Sequence, residues 1–289
     1  PAEQQFFVTG GPADNVYDTA TGRRMYTLVP AGYTGSSPMP LGIFLHGAGQ
    51  AGTDVEDVLK DGLPQVISET GQQMKCLWGM PQLTTGSWTE YLAAIDKAVT
   101  YMTTNYNVDT NRIYLAGLSD GAAGTLAKVI ASTSTFAAYA ISSPPTNAVV
   151  ANAASIKDVP CMWVVGLSDS TVGVGNSAGP LDALAAQAGR IPPRSKFIFG
   201  TDHSRATWND HLFDKSTTGY DFEEWLMLHS LDRVEEAGNY VSRAEDSGDY
   251  LHYLEAARLV NLLSASADKT ALQARLTTLQ TTLETGKQR

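Results

Sequence analysis

The stretch Asn111-Arg112-Ile113-Tyr114-Leu115-Ala116-Gly117-Leu118-Ser119-Asp120-Gly121-Ala122-Ala123-Gly124-Thr125 decides how the rest of the chain is read. Its first half, Arg112 to Ala116, is a short apolar run of β-formers closed by glycine, the pattern of a strand buried on both faces. Its second half, Asp120 to Ser132, lacks helix breakers after Gly124 and puts Leu126, Val129 and Ile130 at helical spacing. Between them lies Gly117-Leu118-Ser119-Asp120-Gly121, a G-x-S-x-G pentapeptide at a strand-to-helix junction. A serine on so sharp a turn is pushed out of the backbone surface, and the flanking glycines leave room for it.

The pentapeptide alone carries little weight. With glycine at roughly 7% of residues, it arises by chance in about one chain in ten of this length. A turn serine beside a capping glycine is the plain alternative until a histidine, a carboxylate and an oxyanion loop are found.

The 289 residues allow one large or two small domains, and 43% hydrophobic with 17% charged residues is the balance of a globular chain with a sizeable core. A net charge of −10 without a Lys/Arg cluster argues against a nucleic-acid partner. No apolar run reaches membrane-spanning length, so no membrane partner is expected. Cys76 and Cys161 open or sit in strand-like runs that are not neighbours in the expected sheet, so two buried free thiols are expected.

Gln4 to Thr9 and Arg23 to Pro30 read as antiparallel strands, the second entered through a hairpin at Ala20-Thr21-Gly22. Strand-like and helix-like segments then alternate. Leu41–Leu45 precedes a helix over 54–68, Cys76–Met80 a helix over 89–104, and the Ser119 unit is followed by a strand over 136–141. Cys161–Val165 precedes a helix over 181–188, and a strand over 196–199 precedes a helix over 220–233. Such alternation predicts an α/β domain, residues 1–233, with a mostly parallel sheet and helices on both faces. Residues 234–289 carry no strand signal and predict a C-terminal helical extension, read as a hairpin. Leu272, Leu276, Leu279 and Leu283 give it one narrow apolar stripe, either packed on the main domain or forming a homodimer contact.

In a parallel sheet the loops after the strand ends converge. After Ile43-Phe44-Leu45 comes His46-Gly47-Ala48-Gly49-Gln50, whose small residues can aim a backbone N–H at an oxyanion. After Val164-Val165 comes Gly166-Leu167-Ser168-Asp169, and after Ile198-Phe199 comes Gly200-Thr201-Asp202-His203. A serine hydroxyl is a poor nucleophile until an imidazole takes its proton, and a carboxylate fixes the tautomer of that imidazole. Ser119, His203 and Asp169 supply these types, and the N–H groups of Ala48 and Asp120 are the expected oxyanion donors. No metal and no cofactor is needed. His211, eight residues after His203, is the competing base, and Asp202 is poorly directed to orient the ring beside it. His46 is expected to anchor the oxyanion loop, and His229 and His252 lie in helices away from strand ends. Trp88, after the strand containing Met80, either walls the acyl or alcohol pocket or staples a helix start.

The pattern Asp109-x-x-Arg112-Ile113-Tyr114-x-x-Gly117-x-Ser119-x-Gly121, with Gly166–Val172 and with Gly200-x-x-His203 followed by Trp208 and Trp225-Leu226, resembles one group of serine esterases. They are the α/β-hydrolase esterases called predicted peptidases, polyhydroxybutyrate-depolymerase-like and feruloyl-esterase-like. The loop His46-Gly47-Ala48-Gly49 is similar to that of carboxylesterases and acyl-protein thioesterases. The resemblance covers roughly residues 23–230 and implies an α/β-hydrolase fold and ester hydrolysis by Ser119, Asp169 and His203. Two departures stand out. Asp120 occupies a position that is often neutral in such enzymes, so its side chain is expected to point away or pair with a base. The helical tail lies outside the pattern.

The expected activity is hydrolysis of carboxylic esters, with acyl or aryl (feruloyl-like) esters on saccharides or polyester chain ends favoured by the short segment between Ile141 and Cys161. A serine peptidase of the same fold and a non-catalytic binding protein on the scaffold are the alternatives. The families resembled are commonly secreted, so a secreted or periplasmic location is expected, with the cytoplasm left open.

Overall fold

A computed structural model describes residues 5–8, 16–146, 148–215 and 222–286. The chain divides into two compact units, Pro1–Met227 and Leu228–Arg289. The expected boundary at 233/234 falls at the start of a helix, Arg233–Ser247, inside the second unit.

The first unit is built on strands β1 (Gln5–Val8), β2 (Val16–Asp18), β3 (Arg23–Val29), β4 (Met39–Leu45), β5 (Leu77–Pro81), β6 (Val108–Leu118), β7 (Ala138–Ser142), β8 (Cys161–Gly166) and β9 (Arg194–Ile198). They lie in the order β1-β3-β5-β4-β6-β7-β8-β9, with β2 paired to β3 off that path. Pairing is antiparallel from β1 to β5 and parallel from β5 to β9. The order explains the site. The chain runs from β4 out to β5, then crosses back over β4 to β6 and continues the other way. Ligand crevices open where such a sheet reverses direction, at the carboxyl ends of the strands, here those of β4 and β6.

Residues 113–118 of β6 are all buried, as their unbroken apolar run demands. Ile43 pairs with Leu115, and Leu115 in turn with Tyr139, so the central strands are in register through their apolar centres. The helices α1 (Gly62–Thr70), α2 (Leu92–Asn105), α3 (Asp120–Ala131), α4 (Val149–Ile156), α5 (Gly175–Ala186) and α6 (Arg205–Trp208) follow the strands. Cys76 and Cys161 are both buried and free.

The helix expected over 54–68 is two elements, a 3-10 stretch Val55–Lys60 and then α1. Asp61 is extended (φ −159°, ψ 160°) and Gly62 has φ +67°, a conformation that favours glycine and restarts the helix. α4 was not expected, and α5 begins at Gly175, six residues before Leu181, with Pro180 inside it. The helix expected over 220–233 is observed over Phe222–Met227, while its expected start at Tyr220 lies outside the described residues.

Among its described residues the second unit holds three helices, Arg233–Ser247, Tyr250–Leu262 and Ala267–Gly286, one more than a hairpin. Leu272, Leu276 and Leu279 are buried, and a methyl group on Gly238 of the first helix would lie 3.9 Å from Leu272 Cδ2. Three of the four stripe leucines are therefore covered, while Leu283 is partly exposed.

Candidate active site

Ser119 sits between β6 and α3 with φ 51° and ψ −121°, a conformation that costs a non-glycine residue about 1–3 kcal/mol. The surrounding backbone holds it there. Its N–H donates to Ser142 O of the next strand (3.0 Å), and its carbonyl accepts from Ala123 N–H (3.1 Å). Gly121 is obligatory: a Cβ at this position would lie 2.0 Å from Leu45 O and 2.6 Å from His46 O. The elbow and the loop after β4 are thus pressed backbone to backbone, and a Cβ on Gly47 would stand 3.6 Å from Ser119 Cβ.

Three loops bring the expected residues together. His203 Nε2 lies 2.8 Å from Ser119 Oγ, and His203 Nδ1 lies 2.9 Å from Asp169 Oδ2. Asp169 is 4% exposed and its other oxygen is occupied: Oδ1 accepts from the N–H groups of Thr171 and Val172, each at 3.0 Å. Burial alone pushes this carboxyl up, but the Val172 N–H and the His203 ring outweigh burial and hold it below the usual carboxylate range. An ionised Asp169 assigns the Nδ1–H tautomer to His203, leaving the Nε2 lone pair facing the serine hydroxyl. His211, the competing base, lies instead in a π-helical turn, Asn209–Phe213. Asp202 meets its neighbours through its backbone carbonyl, which accepts from Ser204 N–H and from Thr207 Oγ1.

Ala48 and Asp120 each open a helix, the first a 3-10 turn over Ala48–Gln50 and the second α3. First-turn N–H groups have no acceptor within their own helix, so both are available as donors beside Ser119. His46 anchors this loop as expected. It is 1% exposed, its Nδ1–H donates to Gly47 O (2.6 Å), and its Nε2 accepts from Leu83 N–H (3.0 Å). Burial, only partly opposed by the Gly47 carbonyl and the Asp120 charge, pulls its pKa down to about 4, so the ring is neutral at pH 7.

Trp88 does not wall a pocket. It is fully buried, its indole N–H donates to His46 O (3.0 Å), and its ring meets His46 edge-on at 5.1 Å. Gly124 makes the room, since a Cβ there would lie 2.2 Å from Trp88 Cβ. The Asp120 carboxylate is taken by the Ser87 hydroxyl (2.5 Å) and the Trp88 N–H (3.0 Å). Its partners are thus a hydroxyl and an amide, and no base pairs with it among the described residues.

Sequence reasoning did not single out Asp61 or Ser87. Asp61 is half-buried, with Oδ1 accepting from Gly62 N–H (2.9 Å) and Trp208 Nε1 (2.6 Å), and burial raises its pKa despite both bonds. An aspartate just before an apolar helical run is an N-cap signal, which the expected continuous helix concealed. Among the described residues no three His, Cys, Asp or Glu side chains are grouped to hold a metal ion.

No protein-family model and no curated protein matches the sequence. Solved structures do match. A thermostable esterase is 25% identical with a TM-score of 0.58, the match covering 74% of this chain and 61% of that one. The chain thus spans less than two thirds of that esterase's length. The S-formylglutathione hydrolase FrmB of Staphylococcus aureus is 15% identical at a TM-score of 0.57, covering 78% of this chain and 98% of its own. A ferulic acid esterase is 15% identical at a TM-score of 0.53, covering 73% and 96%.

Proposed function

We propose that this chain, whose fold is that of the α/β-hydrolases, is a serine hydrolase cleaving carboxylic esters through an acyl-serine intermediate. The observation that carries this is the line of contacts from Ser119 Oγ to His203 Nε2 (2.8 Å) and from His203 Nδ1 to Asp169 (2.9 Å). His203 takes the hydroxyl proton as Ser119 attacks the ester carbonyl, and Asp169 steadies the imidazolium that forms. The tetrahedral oxyanion is met by the N–H groups of Ala48 and Asp120, where loss of one donor typically lowers the rate about 10² to 10³-fold. His203 then returns the proton to the leaving alkoxide. A water activated by the same ring releases the acid.

We assign the substrate class to acyl or aryl esters on saccharides or to polyester chain ends. Among the described residues between β7 and β8 the one regular element is α4, too little to build a large lid, and a ferulic acid esterase is among the similar folds. The test is Ser119→Ala against wild type on short p-nitrophenyl esters and on a panel of feruloyl and acetyl saccharide esters. Hydrolysis that survives in Ser119→Ala refutes the mechanism. Activity on matched amides equal to that on esters moves the protein to the peptidases, and a wild type that no fluorophosphonate labels removes it from the serine hydrolases.

A further inference from the structure

Asp169 and His203 are carried by loops that are tied to each other. Leu167 N–H donates to Ile198 O and Ser168 N–H to Thr201 O, both at 2.9 Å. Ser119 is carried by a different pair of loops, after β4 and β6. A working base needs both halves held in one register: the sheet joins them through β7 and β8, and one face of α1 adds a second tie on the other side.

Gln65 and Glu69 of that face are four apart and so stand one above the other on the helix, and Asp61 is the N-cap that precedes it. Each meets the segment just after His203. Trp208 Nε1 donates to Asp61 Oδ1 at 2.6 Å, Asn209 Nδ2 to Gln65 Oε1 at 2.9 Å, and Arg205 pairs with Glu69 at 3.0 Å. The Arg205–Glu69 pair is more than half exposed on both sides and contributes little. The Asp61 contact is different, because Trp208 is 4% exposed and stands edge-on to the His203 ring, 5.2 Å away at 76°. At the other end, the start of α1 is wedged against the nucleophile strand: a Cβ on Gly62 would lie 2.4 Å from Phe44 Cζ and 2.7 Å from Leu118 Cδ2. Leu118 is the residue before Ser119.

We infer that Asp61 and Trp208 are positioning residues: their hydrogen bond fixes the indole, and the indole fixes the His203 ring in line with Ser119. The segment has other anchors that keep it folded when this bond is cut. Gln65 still holds Asn209, Phe213 packs edge-on against Phe44 at 5.4 Å, and Gln72 Nε2 donates to Phe213 O at 3.0 Å. Cutting the bond therefore loosens the ring and leaves the fold in place. Misplacing a reacting group by about 1 Å is enough to lower a rate about 10²-fold.

This rests on the serine-hydrolase reading and is tested on the full chain with a short p-nitrophenyl ester. Trp208→Phe keeps the ring and loses the N–H, Asp61→Leu removes the acceptor, and Asp61→Asn keeps a carbonyl oxygen for both donors. We expect Trp208→Phe and Asp61→Leu each to lower kcat about 10- to 100-fold with KM held within about threefold. Asp61→Asn recovers most of the rate, and the double variant Trp208→Phe/Asp61→Leu is no slower than the worse single one, since both cut the same bond. The rate of fluorophosphonate labelling falls in parallel. Single variants within about twofold of wild type, or losses that multiply in the double, overturn the inference. So does an Asp61→Asn as slow as Asp61→Leu. In those cases wild-type hydrolysis leaves the serine-hydrolase reading standing, whereas a wild type that neither hydrolyses esters nor labels overturns both.

Discussion

Asp169→Asn is the most informative single substitution, because the loop around residue 169 dictates which way an amide must face. In the wild type Oδ1 accepts two backbone N–H groups, from Thr171 and Val172, while Oδ2 accepts from His203 Nδ1. An asparagine can satisfy the loop only by placing its carbonyl oxygen where Oδ1 was. Its NH₂ group then faces His203. The ring must accept at Nδ1 and carry its proton on Nε2, which leaves no lone pair toward Ser119. The flipped amide would keep the right tautomer, but it would set NH₂ against two N–H donors in a site that is 4% exposed. Leaving a buried donor unpaired costs about 1–3 kcal/mol, so the flip is disfavoured by roughly 2–6 kcal/mol for the two. The wrong tautomer wins. Steady-state kinetics on a p-nitrophenyl ester should show kcat reduced about 10³- to 10⁴-fold with little change in KM, the size of loss that goes with a mis-set imidazole. A variant that keeps kcat within about tenfold of wild type would mean that the ring is oriented by something else, and the argument from the loop amides would fail.

Other consequences are open to direct measurement. The folded pKa of His46 is about 4 against an ordinary 6.5, so the unfolded state binds more protons between those values. Stability is full above pH 6.5 and falls as pH drops toward 4, by about 3 kcal/mol for this group alone; urea unfolding at pH 7 and pH 4.5 measures it, and a His46→Gln variant with the same pH slope as wild type contradicts it. The Asp169 carboxyl, held low, adds stability that is present above the ordinary carboxylate pKa and vanishes as pH falls through its own lower value; acid unfolding of Asp169→Asn should be less steep in that region than that of wild type. Gly121→Ala puts a methyl 2.0 Å from Leu45 O and should lower stability by about 2 kcal/mol or more, while Gly49→Ala, with nothing within 4 Å, should leave the urea midpoint unchanged. Leu276→Asp charges a buried position of the three-helix unit and should lower helical ellipticity; unchanged helicity with a smaller size on gel filtration would restore the stripe as a contact between two copies.

The site was legible where its chemistry is local. Ser119, Asp169 and His203 each follow directly on a strand-like run, so strand ends read from hydrophobic pattern placed all three on one rim, and their order along the chain did the rest. His46 was legible as a loop anchor for the same reason. Trp88 was misread because its position after a strand end looks like that of a pocket residue. Its burial depends on Gly124, one helix away, leaving the space that the indole fills. No pattern in either segment announces that pairing. The three-helix tail was underestimated because the apolar stripe over 234–249, Ala237, Tyr240, Val241 and Ala244, is carried largely by small residues in an otherwise strongly polar stretch.

What was least legible is the arrangement that makes the site one object. Asp61 and Trp208 are 147 residues apart, and the bond between them exists only after the sheet has brought α1 beside the loop of His203. In sequence, Asp61 vanished into a helix that seemed continuous, and Trp208 appeared only as part of a family pattern. The physical reason for the break at 61–62 is also the reason it matters. Gly62 lies so close to Phe44 and Leu118 that no side chain fits, which fixes the helix start against the nucleophile strand and aims the Asp61 carboxylate across to the indole. Strand ends deliver reactive groups to a rim, but strand ends alone leave the base on one pair of loops and the nucleophile on another. The polar face of α1 adds to the sheet a second tie between them, and it does so with residue types that sequence patterns assign to capping and solvation.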